Sequence, residues 1–304
     1  MYHYHAHGLH VVSELKFPEL LPDIKKPDTA ATVSIMLGDV SPLGLSNPID
    51  KGLFHQITRD EIWLHVPPIG HFLMTDGNLI TVSPTKKIDK DSLRECVLST
   101  CFKMLLLQRH LFLIQASVIK VGESCIALAG VSGAGKSTLA AAFVNQGYTI
   151  LADDFAVINS AGEVVPGFPL LKLWEAAAKP LNIDTTGLKK IRPRIRKFTL
   201  PLREKFQSER LPIKAMYVLN DTHQSDYSIN PLLGAKKILC LQNMGFKKNF
   251  LKSLEIESKM VVQAAKTAHQ VAIAFITRPH DEFKLNEGVA LIEHDLRERG
   301  LLHE

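Results

Sequence analysis

Over the first ninety residues, apolar and polar positions follow a period of two, with no sustained helical period. His3, His5 and His7 alternate with Tyr4 and Ala6 and run into Leu9-His10-Val11-Val12, a strand pattern with three histidines on one face. Such a face can hold a metal, but a polar strand face is the preferred reading. Similar short runs follow at Thr32–Leu37, Glu61–Val66, His71–Met74 and Leu79–Val82. Pro67-Pro68, Asp76-Gly77-Asn78 and Ser83-Pro84 separate them as turns. The pattern predicts a β-rich region over residues 1–90.

From Ser92 the period changes. Ser92-Leu93-Arg94-Glu95 has the form of a capping box. Leu93, Val97, Cys101, Met104 and Leu105 then form an apolar stripe, so a connecting helix is expected to run to about Arg109. Beyond it the pattern alternates between strands and helices. Strands are expected at 111–119, 124–128, 148–152, 214–219, 237–241 and 271–275, and a hairpin at 156–159 and 163–165. Helices are expected at 138–146, 261–269 and 289–299. The expectation is an α/β domain over 91–304, with 91–110 as its connecting helix.

Composition narrows the class. The 304 residues are 46% hydrophobic and 22% charged, as in an ordinary globular protein able to bury a core without staples. The formal net charge of +5 is too mild to indicate a nucleic-acid partner. Cys96, Cys101, Cys125 and Cys240 have neither zinc-ligand nor disulfide-framework spacing; core packing in a reducing cytoplasm is expected. No apolar run approaches the ~20 residues that span a bilayer, and His and Tyr precede any apolar run at the start of the chain. A cytoplasmic protein without a membrane or nucleic-acid partner is expected.

The chemistry concentrates between Gly130 and Asp154. Gly130-Val131-Ser132-Gly133-Ala134-Gly135-Lys136-Ser137 satisfies G-x-x-x-x-G-K-[ST] in full. Backbone amides must curl around phosphate oxygens there, which calls for glycines able to adopt positive φ and to allow close approach. The candidate nucleotide-binding residues are Gly130, Ser132, Gly133, Ala134, Gly135, Lys136, Ser137 and Thr138. Lys136 supplies a charge to the β- and γ-phosphates, and the Ser137 hydroxyl is placed to ligate Mg²⁺. An apolar run, Cys125–Ala129, precedes the loop, and the helical run Leu139–Phe143 follows it. ATP with Mg²⁺ is the expected ligand.

A second apolar strand, Tyr148–Ala152, delivers Asp153 and Asp154 to its carboxyl end, the edge where α/β sheets bind ligands. That strand is expected beside the loop strand. One carboxylate can serve Mg²⁺ and the other can accept the proton of an incoming hydroxyl.

These residues resemble the HPr kinase/phosphorylase family of P-loop serine kinases, which carries a G-x-S-G-x-G-K-S loop followed by a Gly-led hydrophobic strand ending in Ala-Asp-Asp. Here that segment reads Gly147-Tyr148-Thr149-Ile150-Leu151-Ala152-Asp153-Asp154. Two further segments resemble the short relatives found with lasso-peptide biosynthesis, which phosphorylate the C-terminal serine of a precursor peptide. They are Pro166–Trp174 and the opening Gly8–Leu15 with Pro18-Glu19-Leu20. The resemblance implies a domain like the C-terminal domain of HPr kinase, an acceptor serine on a peptide or small protein, and a possible homo-oligomer. It also implies Asp153 and Lys136 as catalytic residues, with Asp153 the base and Asp154 at the metal beside Ser137. The family has a histidine where this chain has Gln115. Gln115 cannot titrate, although it can bond a phosphate oxygen or orient Asp153. The departure counts against the reverse, phosphorolytic reaction and points to weaker forward transfer.

Lys189, Lys190, Arg192, Arg194, Arg196 and Lys197 form a basic run without an acid. It is either a solvated loop or a phosphate or acidic-peptide contact. In one extended segment Arg192, Arg194 and Arg196 would point the same way, toward the γ-phosphate or toward an acidic peptide. A P-loop ATPase or nucleotide-responsive binding module, and a small-molecule kinase, are the competing functions.

Overall fold

The computed structural model describes residues 1–23, 32–192, 195–221, 226–246, 248–278 and 284–302. It is a mixed α/β structure with several sheets, and its contacts divide the chain into two compact units. The first comprises Met1–Leu111, Lys190–Arg196 and Phe246–Met260; the second comprises Phe112–Lys189, Lys197–Gly245 and Val261–Glu304.

In the first unit nine strands make one sheet: β1 (Tyr2–Ala6), β2 (Leu9–Ser13), β3 (Leu21–Pro22), β4 (Thr32–Leu37), β5 (Asp50–Lys51), β6 (His55–Ile57), β7 (Glu61–Val66), β8 (Gly70–Thr75) and β9 (Leu79–Pro84). Their order is β3-β1-β2-β4-β9-β8-β7-β6-β5. Strands β2, β4 and β9 run parallel, and β9 to β5 form an antiparallel meander. Burial alternates along β4, β8 and β9, so Val33, Ile35, Phe72, Met74, Ile80 and Val82 share the packed face. The histidines do not share a face as expected. His3 and His5 are exposed on β1, whereas His7 follows the strand at φ 50°, is buried and packs against Phe102. Among the described residues no cluster of His, Cys, Asp or Glu could hold a metal ion.

Helix α1 (Lys90–Cys96) continues through one widened π turn, Val97–Cys101, into α2 (Phe102–Gln108). Its cap is Asp89, whose carboxylate accepts the Ser92 amide at 2.7 Å; Ser92 therefore lies inside the first turn. An ionised carboxylate caps as well as a hydroxyl and also complements the positive helix end. Helix α2 packs against β8 and β9, and Gln108 donates to the carbonyls of Asp60, in the β6–β7 turn, and of Met74, on β8.

The second unit holds β10 (Phe112–Ile114), β11 (Ala116–Val121), β12 (Ser124–Ala129), α3 (Lys136–Asn145), β13 (Ile150–Ala152), the hairpin β14 (Ala156–Ile158) and β15 (Glu163–Val165), and β16 (Leu170–Trp174) with the short α4 (Glu175–Ala178). Strands β17 (Lys189–Arg192) and β18 (Ile195–Pro201) follow; Lys190–Arg196, which takes in most of β17 and the start of β18, belongs to the first unit, and β18 pairs antiparallel with β16 from Leu170↔Pro201 to Trp174↔Lys197. Then follow β19 (Leu211–Asp221), β20 (Ser228–Pro231), α5 (Ala235–Met244), α6 (Lys248–Ser253), α7 (Glu257–Gln270), β21 (Ala272–Arg278) and α8 (Leu285–Glu298); α6 and the first turn of α7 belong to the first unit.

The main sheet of this unit runs β10-β14-β15-β19-β12-β11-β13, with β21 beside β19 and β20 beside β21. Strands β12, β19 and β21 are parallel. Every residue of β12 is buried, as expected of a central strand covered on both faces. Helices α3 and α8 cover one face through Leu139, Phe143, Val289, Ile292 and Leu296.

Three expectations change here. The apolar run 111–119 is broken at Gln115, so β10 pairs with β14 while β11 pairs with β12 and β13. Residues 237–241 lie in a helix, α5, burying Cys240 and Leu241; a short apolar run does not by itself distinguish strand from helix. Strand β13 is not beside the loop strand. Antiparallel β11 lies between them, so β12 and β13 point the same way and end at the same sheet edge. All four cysteines are unpaired and buried. Burial raises the thiols of Cys101 and Cys240 above their usual range and pushes Cys125 up to about 12, which suits core residues rather than nucleophiles.

Candidate phosphate-binding cleft

The loop between β12 and α3 takes the backbone that its glycines allow. Gly130 (φ 141°), Gly133 (φ 89°) and Gly135 (φ 99°) all lie at positive φ. At Gly130 an added Cβ would stand 3.1 Å from the Leu219 carbonyl oxygen and 3.3 Å from the Ala134 Cβ, so the loop's start has little room for a side chain. At Gly133 a Cβ would meet nothing within 4 Å, so the positive φ rather than space favours glycine there. Gly135 caps α3, and Lys136, Ser137 and Thr138 form its first turn, where orphan amides and the helix dipole favour an anion. The Lys136 ammonium folds back onto the loop and donates to the Val131 carbonyl at 2.9 Å.

Asp153 emerges from β13 at the same edge. Its Oδ1 accepts from the Ser137 hydroxyl at 2.9 Å and from the Ser117 hydroxyl of β11 at 2.6 Å; its Oδ2 accepts from the Lys172 amide of β16 at 2.8 Å. The intervening strand therefore bridges the gap between β12 and β13: Ser117 holds the carboxylate while Ser137 reaches it from the loop helix. Three donors and burial to 7% exposure leave Asp153 closely held.

Asp154 differs in backbone and setting. At φ 71° it occupies the left-handed region, which Asp tolerates better than most residues. Its Oδ2 lies 3.6 Å from the Lys172 ammonium. The chain turns between the two acids, so one is bound into the fold and the other lines the cleft.

That cleft, with a volume of about 120 Å³, is bounded by the loop residues Ser132, Gly133, Gly135, Lys136, Ser137 and Thr138 and by Asp154. Gln115, Lys172, Trp174 and Lys197 complete its lining. Drug-sized ligands usually take about 300–1,000 Å³, so this cleft is smaller than such a site. Gln115 is exposed at the break between β10 and β11, and its backbone N–H donates to the Met244 carbonyl at 2.9 Å. The Lys197 ammonium sits 5.9 Å from the Trp174 ring centre.

Of the basic run, Lys197 lines the cleft. Arg192 lies on β17 and Arg196 on β18, both exposed. Arg194 lies outside the described residues. Sequence reasoning had not singled out Ser117, Lys172 or Trp174 as site residues. A lysine between Leu171 and Leu173 on a buried strand was the one visible signal.

Hard oxygen donors, a hydroxyl from Ser137 and a carboxylate from Asp153, already stand within bonding distance of one another, which suits Mg²⁺ completed by phosphate oxygens and water.

No helix among the described residues is long and apolar enough to cross a membrane. No family model matches the chain, and no curated protein matches it. Among solved structures it is similar to the Hpr(Ser) kinase/phosphatase from Coxiella burnetii, at 9% identity and a TM-score of 0.32, over 62% of this chain and 99% of that one.

Proposed function

We propose that this chain is an ATP- and Mg²⁺-dependent phosphotransferase acting on a hydroxyl, a serine kinase whose acceptor is a peptide or small protein. The observation that carries the reading is the division of labour between adjacent acids on one sheet edge. Asp153 is bonded to the loop serine, whereas Asp154 is turned into the cleft that Lys136 also lines. A site that only binds nucleotide needs the first acid; transfer to a hydroxyl also needs a base facing the acceptor. The acceptor class rests on the sequence resemblance.

This geometry favours roles opposite to those implied by the resemblance. Asp153, already accepting three hydrogen bonds, suits the metal side of the site with Ser137. Asp154 suits the proton acceptor. Bound Mg²⁺ would neutralise charge on the β- and γ-phosphate oxygens. Lys136 would leave the Val131 carbonyl for the same phosphates, and the amides of Gly133 to Ser137 would cradle them.

Incubation with γ-labelled ATP, Mg²⁺ and a serine-ended peptide tests the reading. Label on the peptide is expected, with Lys136→Ala abolishing it, a loss of at least about 10²–10³-fold. Label on a small metabolite would make the chain a small-molecule kinase. Label released only as phosphate would make it an ATPase, and absence of nucleotide binding would sink the proposal altogether.

A further inference from the structure

Lys172 is the buried ionisable residue of the cleft that has no part in the proposed reaction, whereas Lys197, which also lines it, is half-buried. Its neighbours Leu171 and Leu173 enter the core of the second unit, while Lys172 and Trp174 face the cleft two residues apart on β16. The residue is only 6% exposed, and lysine is seldom buried so deeply unless it is paired. Its two ends touch both acids: the amide donates to Asp153 at 2.8 Å, and the ammonium stands 3.6 Å from Asp154. A tight ammonium–carboxylate hydrogen bond measures about 2.7–2.9 Å. The pair is therefore an ion pair with a gap, not a closed contact.

Lys136 offers a parallel. Both lysines are nearly buried, both line the same cleft, and each has a nearby acceptor that an incoming anion can replace or join. They come from different elements, Lys136 from the loop helix and Lys172 from β16. A phosphoryl group moving from nucleotide to acceptor spreads charge over three peripheral oxygens, and fixed cations around it stabilise that charge.

Building on the phosphotransferase reading, we propose that Lys172 is a second catalytic cation, which contacts the transferring phosphoryl group beside Asp154. In the step, the acceptor oxygen forms a bond to the γ-phosphorus while the bond from that phosphorus to the β-phosphate oxygen breaks. The hydroxyl proton passes to the Asp154 carboxylate, and the nucleoside diphosphate leaves with the bonding pair. Lys172 donates N–H to the peripheral oxygens. It thereby fills the role that an arginine plays in many phosphoryl-transfer sites.

The experiment needs no acceptor. The full chain is titrated with fluorescent MgADP, with and without aluminium fluoride, which mimics the planar phosphoryl group in transfer. In the parent, aluminium fluoride should tighten binding by roughly a hundredfold or more, as transition-state mimics do. In Lys172→Ala and Lys172→Met the ratio of the affinities with and without aluminium fluoride should fall most of the way to one, whatever the affinity for MgADP itself, and Lys172→Arg should regain part of the ratio. Methionine keeps the buried volume, which guards against mere collapse of the strand. If the Ala and Met variants keep the full gain, Lys172 does not touch the phosphoryl group. If both unfold, the lysine is structural. If the parent binds MgADP without any gain from aluminium fluoride, the cleft does not hold a transferring phosphoryl group and the inference falls. Failure of the parent to bind MgADP at all would instead overturn the phosphotransferase reading beneath it.

Discussion

Gln56 and Asp153 are both polar and both nearly buried, but their surroundings differ. In the first unit, the Gln56 amide accepts from Leu45 at 2.7 Å and donates to Leu43 at 3.1 Å, tying a loop to β6. Arg94 likewise bonds Glu19 through Nε at 3.0 Å and pairs with Asp91, and His10 bonds Asp23 at 2.7 Å. These contacts satisfy buried groups within the fold. In the second unit, Asp153 is held by Ser117, Ser137 and the Lys172 amide, and beside it Lys136, Asp154 and Lys172 are held by the fold on one side and line an open cleft on the other. Buried polar groups are expected to be satisfied in either case. What marks a site is that their partners are replaceable and face a space able to take a ligand.

The comparison breaks most sharply at the two acids. Asp154→Asn is expected to lower transfer by roughly 10²–10⁴-fold while leaving ATP affinity nearly intact, the scale of losing a general base. Asp153→Asn should weaken ATP binding only when Mg²⁺ is present. Single-turnover transfer to a serine-ended peptide, with ATP titrations with and without Mg²⁺, reads both. The opposite pattern would restore Asp153 as the base.

In the first unit the same kind of change should cost stability, not chemistry. Arg94→Ala removes the cation facing Glu19 and is expected to cost about 3 kcal/mol, the low end for a broken buried pair because Asp91 is half-exposed. Nucleotide affinity should not change. Denaturant unfolding and a nucleotide titration on the same variant provide the check.

His7 sharpens the contrast through pH. Burial, with a smaller contribution from His5, pushes its pKa down to about 3 from 6.5. The folded state therefore holds His7 neutral where the unfolded chain takes up a proton. Its contribution to stability is full above pH 6.5 and falls by up to about 1.4 kcal/mol per pH unit as pH drops toward 3. Unfolding midpoints of the parent at pH 7.5, 6 and 5 should decline more steeply than those of His7→Gln. Parallel slopes would show that His7 does not titrate on unfolding.

The smallest effect is expected at Gln115. Lining the cleft as a neutral amide, it is placed to bond a phosphate oxygen without moving a proton. Gln115→His should change forward transfer by only a few-fold and should introduce a pH dependence near 6.5. Identical pH profiles in parent and variant would place the side chain outside the reaction.

Much of the cleft was legible along the chain because its demands are local. A loop that wraps phosphate needs glycines at set intervals, a lysine and a hydroxyl at the helix start, and Gly130 to Ser137 carry them in consecutive order. The two acids after an apolar strand were visible for the same reason. The π turn after α1 and the cap at Asp89 were less legible, since a hydroxyl and a carboxylate three residues apart compete for one helix start.

Local spacing thus determined where a phosphate would be cradled and which acids would stand nearby. Only the tertiary structure decided what each acid faces. Inserting β11 between β12 and β13 brings Ser117 to Asp153, and pairing β16 with β18 aligns Trp174 with Lys197. The turn at Asp154 sends its carboxylate away from that of Asp153 and toward Lys172, 18 residues later in the chain. Strand order and register are long-range choices, set by which apolar faces pack together, so no spacing along the chain encodes them directly.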